Sequence, residues 1–353
     1  MRTITLFTIF FFFFSIAWSQ TKETKDVVIA NGRMPNITKD KSNNIHIVYG
    51  TGDSIMYTSS SNQGKSFSSP VLVAMLPKLF ASAMRGPQIA STTNGLTITA
   101  NTSDGNIYAY HKEGVGRWSK AIKVNDADDV SKEALMSLSA DGLNAFAVWL
   151  DVRGNNGKGQ RLYGAQSTDG GKTWSRNILV YSSPENSICE CCKPSVAVKG
   201  DNVYAMFRNW LNGNRDLYLV SSSNNGKTFG EAQKLVVGSW KLNGCPMDGG
   251  GLTVNKNGTP ETVWRREGKI YAATPGLLEK EIGEGRSCSM ESVNGKNIYT
   301  WTNNGDVVVM KPHGQKKVLG KGSQPLLKAL SNEHVICVWE NEKQIHAQVL
   351  ELY

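Results

Sequence analysis

Apolar residues in this chain fall in short runs rich in Val, Ile, Tyr and Trp, separated by clusters of Asn, Asp, Gly and Ser. Such runs read as strands, and the clusters between them as turns. Heptads and long amphipathic helical stretches are missing from the pattern, which predicts an all-β chain. The runs recur as a longer unit: a short opening segment, a strand ending in an aromatic, then another strand with its turn. Arg33-Met34-Pro35 leads to 45–49, and Met84-Arg85-Gly86-Pro87 to 96–100 and 107–110. Residues 134–137 lead to 145–150, and Cys192-Lys193-Pro194 to 203–207 and 216–220. Cys245-Pro246-Met247 leads to 262–264 and 270–273, and Arg286-Ser287-Cys288 to 298–301 and 307–310. Gln324-Pro325-Leu326 leads to 335–339 and 345–350. Each of these seven units is roughly 40–55 residues, a length that suits a four-stranded blade of a β-propeller. The last unit is short of one strand. Residues 26–30 can supply it and close the ring, which removes the exposed sheet edge.

Within the units one turn repeats. Ser167-Thr168-Asp169-Gly170-Gly171-Lys172-Thr173-Trp174 fits S-x-D-x-G-x-T-W at every defined position. The segment 222–229 fits with Asn224 for Asp and Phe229 for Trp, and 60–67, with Asn62, fits more loosely. Gly116-Arg117-Trp118-Ser119 reads as a worn fourth copy. The Asp or Asn side chain accepts backbone N–H bonds within its own turn, and Gly supplies a positive φ. These copies resemble the Asp-box, or BNR, repeat of the sialidase superfamily. The resemblance implies a propeller in which each box joins the third and fourth strands of a blade, away from the active-site face. Asp169, Asn224 and Asn62 are therefore expected to be structural. Sialidases are six-bladed, so the unit count departs from the family; seven blades is the preferred expectation and six the alternative.

The N-terminus carries Arg2, then an apolar run from about Leu6 to Trp18 and an A-x-S pattern before Gln20. The run is too short and one-sided for a good membrane span and reads as a secretory signal. The expected organisation is a signal peptide over 1–19 and one propeller domain over 20–353, exported to a periplasmic or external space, with no membrane span after signal removal. The formal charge of +9 falls to about +8 without Arg2. Its basic residues are spread through turns, without a run interleaved with aromatics, which gives nucleic-acid binding no support. A mildly cationic exported protein suits an anionic partner such as an acidic glycan.

In a propeller the innermost strands start near one mouth of the central channel, so the unit openings should converge there. Arg33, Arg85 and Arg286 stand at openings, and Arg208 at a strand end. Arg33-Met34-Pro35 resembles the R-I-P motif of sialidases, whose Arg helps hold the sugar carboxylate. Guanidinium groups suit that task through paired hydrogen bonds. The same resemblance implies an acid/base Asp early in the chain and a Tyr nucleophile primed by Glu. The late opening reads Gly285-Arg286-Ser287-Cys288-Ser289, without Tyr. Asp151, Glu133 and Asp248 are the candidate acid/base carboxylates.

Sulfur is the second unusual feature. Cys189-Glu190-Cys191-Cys192 and Gly244-Cys245-Pro246-Met247-Asp248 belong to adjacent openings. In an exported protein the plain reading is disulfides, with Cys191 or Cys192 bridging Cys245. The sharper reading is a soft metal, Cu or Zn, held by these cysteines and by Met34, Met84, Met136, Met247 and Met290. No cofactor is required by the pattern. Three functions follow as expectations: a sialidase-like, exo-acting glycan-processing protein, a non-catalytic glycan- or protein-binding propeller, and a metal-binding propeller.

Overall fold

The computed structural model describes residues 24–154 and 159–353; the expected signal peptide lies outside the described residues. Seven sheets, each of four antiparallel strands, are arranged as the blades of a propeller. Blades 1 to 6 occupy residues 33–75, 88–123, 136–181, 195–234, 250–284 and 286–321. Blade 7 takes its inner three strands from 323–351 and its outer strand from Val27–Asn31. The inner strands touch in sequence order around the ring, and blade 7 touches blade 1. The count is seven, so the six-bladed alternative does not hold. No α-helix occurs among the described residues, and none there is long and apolar enough to cross a membrane.

The aromatic rhythm has a packing cause. Each aromatic that ends a second strand enters the apolar layer of the preceding blade. Trp149 packs with Ile107, Ala109 and Val124 of blade 2. Trp264 packs with Met206, Leu217 and Leu219 of blade 4, and Trp301 with Val263 and Ile270 of blade 5. Trp339 meets Ile298 and Val307 of blade 6, and Tyr49 meets Ile336 and Val338 of blade 7. Phe207 meets Phe146 and Leu162 of blade 3. All six rings are almost fully buried. Burying a side chain of this size contributes roughly 1.5–3 kcal/mol, a gain that recurs at six of the seven blades.

Ring closure follows the expectation with a one-residue difference in bounds. Val27 pairs with Ala347 and Asn31 with Gln344, which gives blade 7 an outer strand from the opposite end of the chain. The repeated turns lie between the third and fourth strands of blades 1, 3 and 4. Asp169 Oδ1 accepts the Lys172 and Thr173 amides at 3.0 Å, and Ser167 Oγ accepts Gly171 N at 2.8 Å. Asn224 and Asn62 repeat the pattern, accepting Thr228 N and Ser66 N at 3.0 Å. The turn glycine has a second task. A Cβ on Gly171 would stand 2.2 Å from Thr97 Oγ1 of blade 2, and one on Gly226 2.3 Å from Phe146 of blade 3. The turns therefore also dock each blade against its predecessor. Gly116–Ser119 occupies the equivalent place in blade 2, where Trp118 packs edge-on to Tyr57 of blade 1 at 5.5 Å.

Candidate functional site at the channel mouth

A cavity of about 270 Å3 occupies the centre of the ring. Its wall comprises the openings and first halves of all seven inner strands, including Asn36, Gln88, Ser137, Lys193, Asp248, Ser287 and Gln324. The openings share a backbone device. Met34, Met84, Ala134, Met247, Ser287 and Gln324 all have φ between 46° and 72°, a left-handed conformation that non-glycine residues rarely adopt. Blade 4, whose opening carries the C-x-C-C segment, has no such residue there. In blades 1, 6 and 7 the register slips next to this residue, forming a bulge that turns its neighbours toward the mouth. Buried carboxylates hold two of these bends. Glu340 accepts Met34 N at 2.9 Å, and Asp248 accepts Ser287 N at 3.1 Å and its own neighbour Gly249 N at 2.9 Å.

Glycine permits the close approach of blade 5. A Cβ on Gly249 would sit 2.8 Å from Lys193 O, on Gly250 2.6 Å from Met206 Cε, and on Gly251 2.9 Å from Met290 N. The Gly249-Gly250-Gly251 run thus brings the Asp248 opening against blades 4 and 6. A polar chain crosses the cavity wall beside it. Lys193 Nζ donates to Gln88 Oε1 at 3.0 Å, and Asn36 Nδ2 donates to the same oxygen at 3.2 Å. Gln88 Nε2 donates to Gly86 O and Pro87 O, so its amide orientation is fixed. Desolvation of the Lys193 ammonium lowers its pKa from 10.5 to about 8. The group is cationic at neutral pH, and an incoming anion would compensate its lost hydration.

Asp248 is fully buried. Burial raises its pKa above the usual carboxylate value, against the opposing pull of Arg208, Arg265, Ser287 N–H and Arg286. Arg265 Nη1 lies 3.8 Å from its carboxylate. Arg208 is itself buried; it donates to Arg215 O at 2.7 Å and Arg265 O at 2.8 Å, and its guanidinium lies 5.3 Å from the centre of the Trp240 ring. Arg286 donates to Met247 O at 2.8 Å. Arg33 and Arg85 stand at other blades in ion pairs, Arg33 with Glu340 at 3.0 Å and Arg85 with Glu133 at 2.9 Å. Glu133 is thereby held in a salt bridge at the blade 2–blade 3 junction. Asp151 ends the second strand of blade 3, fully buried. It accepts Trp149 Nε1 and Arg153 N at 2.8 Å and forms an ion pair with the Arg153 guanidinium. Of the three candidate carboxylates, Asp248 alone lines the cavity.

The cysteines gather on the blade 4–blade 5 side. Cys191 and Cys245 form a disulfide. Cys189 Sγ lies 3.4 Å from Cys192 Sγ and 3.8 Å from Cys191 Sγ, and Arg215 Nη1 reaches Cys189 Sγ at 3.2 Å. The sulfurs of Cys189, Cys191 and Cys192 fall within 4.8 Å of one another, and with Cys191 in the disulfide, Cys189 and Cys192 are the two free thiols of this group. Of the methionines read as soft ligands, Met84, Met136 and Met290 pack in interblade apolar layers, and Met247 is exposed. Cys288 packs with Met290 and Trp301, and Cys337 with Trp339. Sequence reasoning missed Asn36 and Gln88. Their only local signal is position, Asn36 after the Arg33-Met34-Pro35 motif and Gln88 after Gly86-Pro87.

No protein-family model matches the chain, and neither does any curated protein sequence. Solved structures share its fold. An α-L-arabinanase from Penicillium chrysogenum, complexed with arabinobiose, superposes with a TM-score of 0.60 at 12% identity, over 94% of this chain and 99% of that one. The BP39L lectin from Burkholderia pseudomallei gives 0.64 at 8% identity, over 92% and 97%. A polysaccharide lyase, an ulvan lyase bound to a sulfated glucuronate–rhamnose unit, gives 0.54 at 11% identity, over 94% and 96%. At these identities the likeness establishes the propeller fold across essentially the whole chain.

Proposed function

We propose that the protein is an exported glycan-recognising propeller that takes the anionic end of a sugar chain into the channel mouth. The observation carrying this reading is the Asn36–Gln88–Lys193 chain, with its partly desolvated ammonium facing a cavity bordered by residues of all seven blades. Arg286 and Arg208, which donate to backbone carbonyls, add positive potential near the mouth that concentrates anions, whereas Arg33 and Arg85 are offset by Glu340 and Glu133. The described solved structures with this fold include a lectin, an arabinanase bound to arabinobiose and a lyase bound to an acidic saccharide, which agrees with a carbohydrate ligand.

A second reading, exo-acting glycoside hydrolysis of the sialidase kind, is favoured by Asp248. A buried carboxyl with a raised pKa suits proton donation to a leaving oxygen. Binding is preferred because, among the described residues, the cavity wall offers Asp248 but neither a second carboxylate nor a tyrosine to serve as nucleophile. Titration with sialylated, uronate-bearing, sulfated and neutral oligosaccharides, run beside fluorogenic glycosides of the same sugars, separates the readings. Binding of acidic members without turnover is expected. Turnover abolished by Asp248→Asn would establish the hydrolytic reading, and indifference to every saccharide would remove both.

A further inference from the structure

The C-x-C-C segment of blade 4 contains a C-x-x-C pair, Cys189 and Cys192, set against a disulfide that has one exposed end. Cys189, Cys191 and Cys192 are buried, whereas Cys245 is exposed. We propose that these four cysteines form a disulfide relay, in which the bond passes from Cys191–Cys245 to Cys189–Cys192 and leaves a reactive thiol at the surface on Cys245.

The required groups are adjacent. The attacking sulfur, Cys189, is 3.8 Å from Cys191 and 3.4 Å from the resolving sulfur, Cys192. The two thiols differ in the sense such an exchange uses. Arg215 Nη1 stands 3.2 Å from Cys189 Sγ, so the attacking sulfur has a cationic partner that favours its thiolate. Cys192 is almost fully buried behind it. The thiolate is the nucleophile, and an asymmetric pair within C-x-x-C is the arrangement of dithiol exchange centres. In the first step the Cys189 thiolate attacks Cys191 Sγ. A Cys189–Cys191 bond forms, the Cys191–Cys245 bond breaks, and Cys245 leaves as a thiolate. In the second, Cys192 gives up its proton and attacks Cys189. The Cys189–Cys192 bond forms and Cys191 leaves as a thiolate, which takes that proton. One disulfide and two thiol groups are present before and after, so no oxidant or reductant is consumed. The exposed Cys245 thiolate is then placed to exchange with a disulfide-bearing partner.

The test uses the whole chain, fully reduced and then given one equivalent of diamide so that each molecule carries one disulfide. Native maleimide labelling followed by peptide mapping reads which sulfur is free. The wild type should label at Cys245 and accumulate Cys189–Cys192. Cys189→Ser should label at Cys245 at least about tenfold more slowly, having lost the thiolate that opens the bond. Cys192→Ser should still label at Cys245 but stop at Cys189–Cys191, which guards against a folding defect in the first variant. Three results would overturn the relay: an unlabelled Cys245 in the wild type, equal labelling in wild type and Cys189→Ser, or one zinc or copper per chain protecting Cys189, Cys191 and Cys192 together.

Discussion

Gly226 offers a direct measure of how the repeated turns hold the ring together. Its φ is +79°, and a Cβ there would meet Phe146 Cε2 at 2.3 Å. Phe146 is almost fully buried and stacks edge-on to Phe229 with 5.6 Å between ring centres, so it has little room to retreat. Gly200, in the same blade, has φ +56° and nothing within 4 Å of its hypothetical Cβ. Both positions to Ala incur the left-handed backbone term, about 1–2 kcal/mol. Gly226→Ala adds the displacement of a packed ring, about 1–3 kcal/mol. The expected losses are therefore about 2–5 kcal/mol for Gly226→Ala and about 1–2 kcal/mol for Gly200→Ala. Urea unfolding followed by tryptophan fluorescence gives both values. Equal destabilisation of the two variants would refute the claim that this turn docks blade 4 onto blade 3.

Lys193→Met should separate stability from binding. With its pKa lowered from 10.5 to about 8, the folded state binds fewer protons than the unfolded state between those limits, so wild-type stability rises across that window. Below pH 8 the partly desolvated charge destabilises the fold by up to about 3 kcal/mol. Lys193→Met should be the more stable protein at pH 7 despite losing the Gln88 bond, with the gap closing toward pH 10.5; a pH series of unfolding midpoints checks it, and a flat difference would refute it. Asp151→Ala leaves Trp149 Nε1 without its buried acceptor and removes an ion-pair partner of Arg153, so a loss of about 3 kcal/mol or more is expected in thermal or urea unfolding. Its saccharide affinity should be unchanged; a loss of affinity in a folded variant would place this carboxylate in the site. Deleting residues 27–31 uncovers the Gln344–Glu351 edge. Light scattering and a thermal melt should show self-association and a lowered midpoint.

The seven-bladed ring was legible because one packing problem is solved in the same way at six of its seven blades. An aromatic must fill the layer behind it, and Tyr49, Trp149, Phe207, Trp264, Trp301 and Trp339 mark the solution in the sequence. Blade 2 has Ala100 there, yet its neighbouring strands keep the rhythm. The site was legible only in outline. Geometry placed the openings at one mouth, and Asp248 and Lys193 do border the cavity there, whereas Cys189, Cys191 and Cys192 gather with one another rather than in its wall. Which polar atoms touch could not be read, because Asn36, Gln88 and Lys193 come from three blades and lie 52 and 105 residues apart across their two contacts. Asp151 and Asp248 look alike as strand-boundary carboxylates. Only the fold shows that one is tied to Trp149 and Arg153 while the other borders the cavity. Likewise, a bridge from Cys191 or from Cys192 to Cys245 satisfied the spacing equally, and the approach of blades 4 and 5 pairs Cys191.

The claim that the channel mouth is a glycan site is tested most directly by calorimetric titration of wild type and Lys193→Met with the same acidic oligosaccharide. Saturable binding by the wild type and at least about tenfold weaker binding by the more stable variant are expected, the loss that follows from removing one charged hydrogen-bond donor. Equal affinity in the two proteins would contradict it.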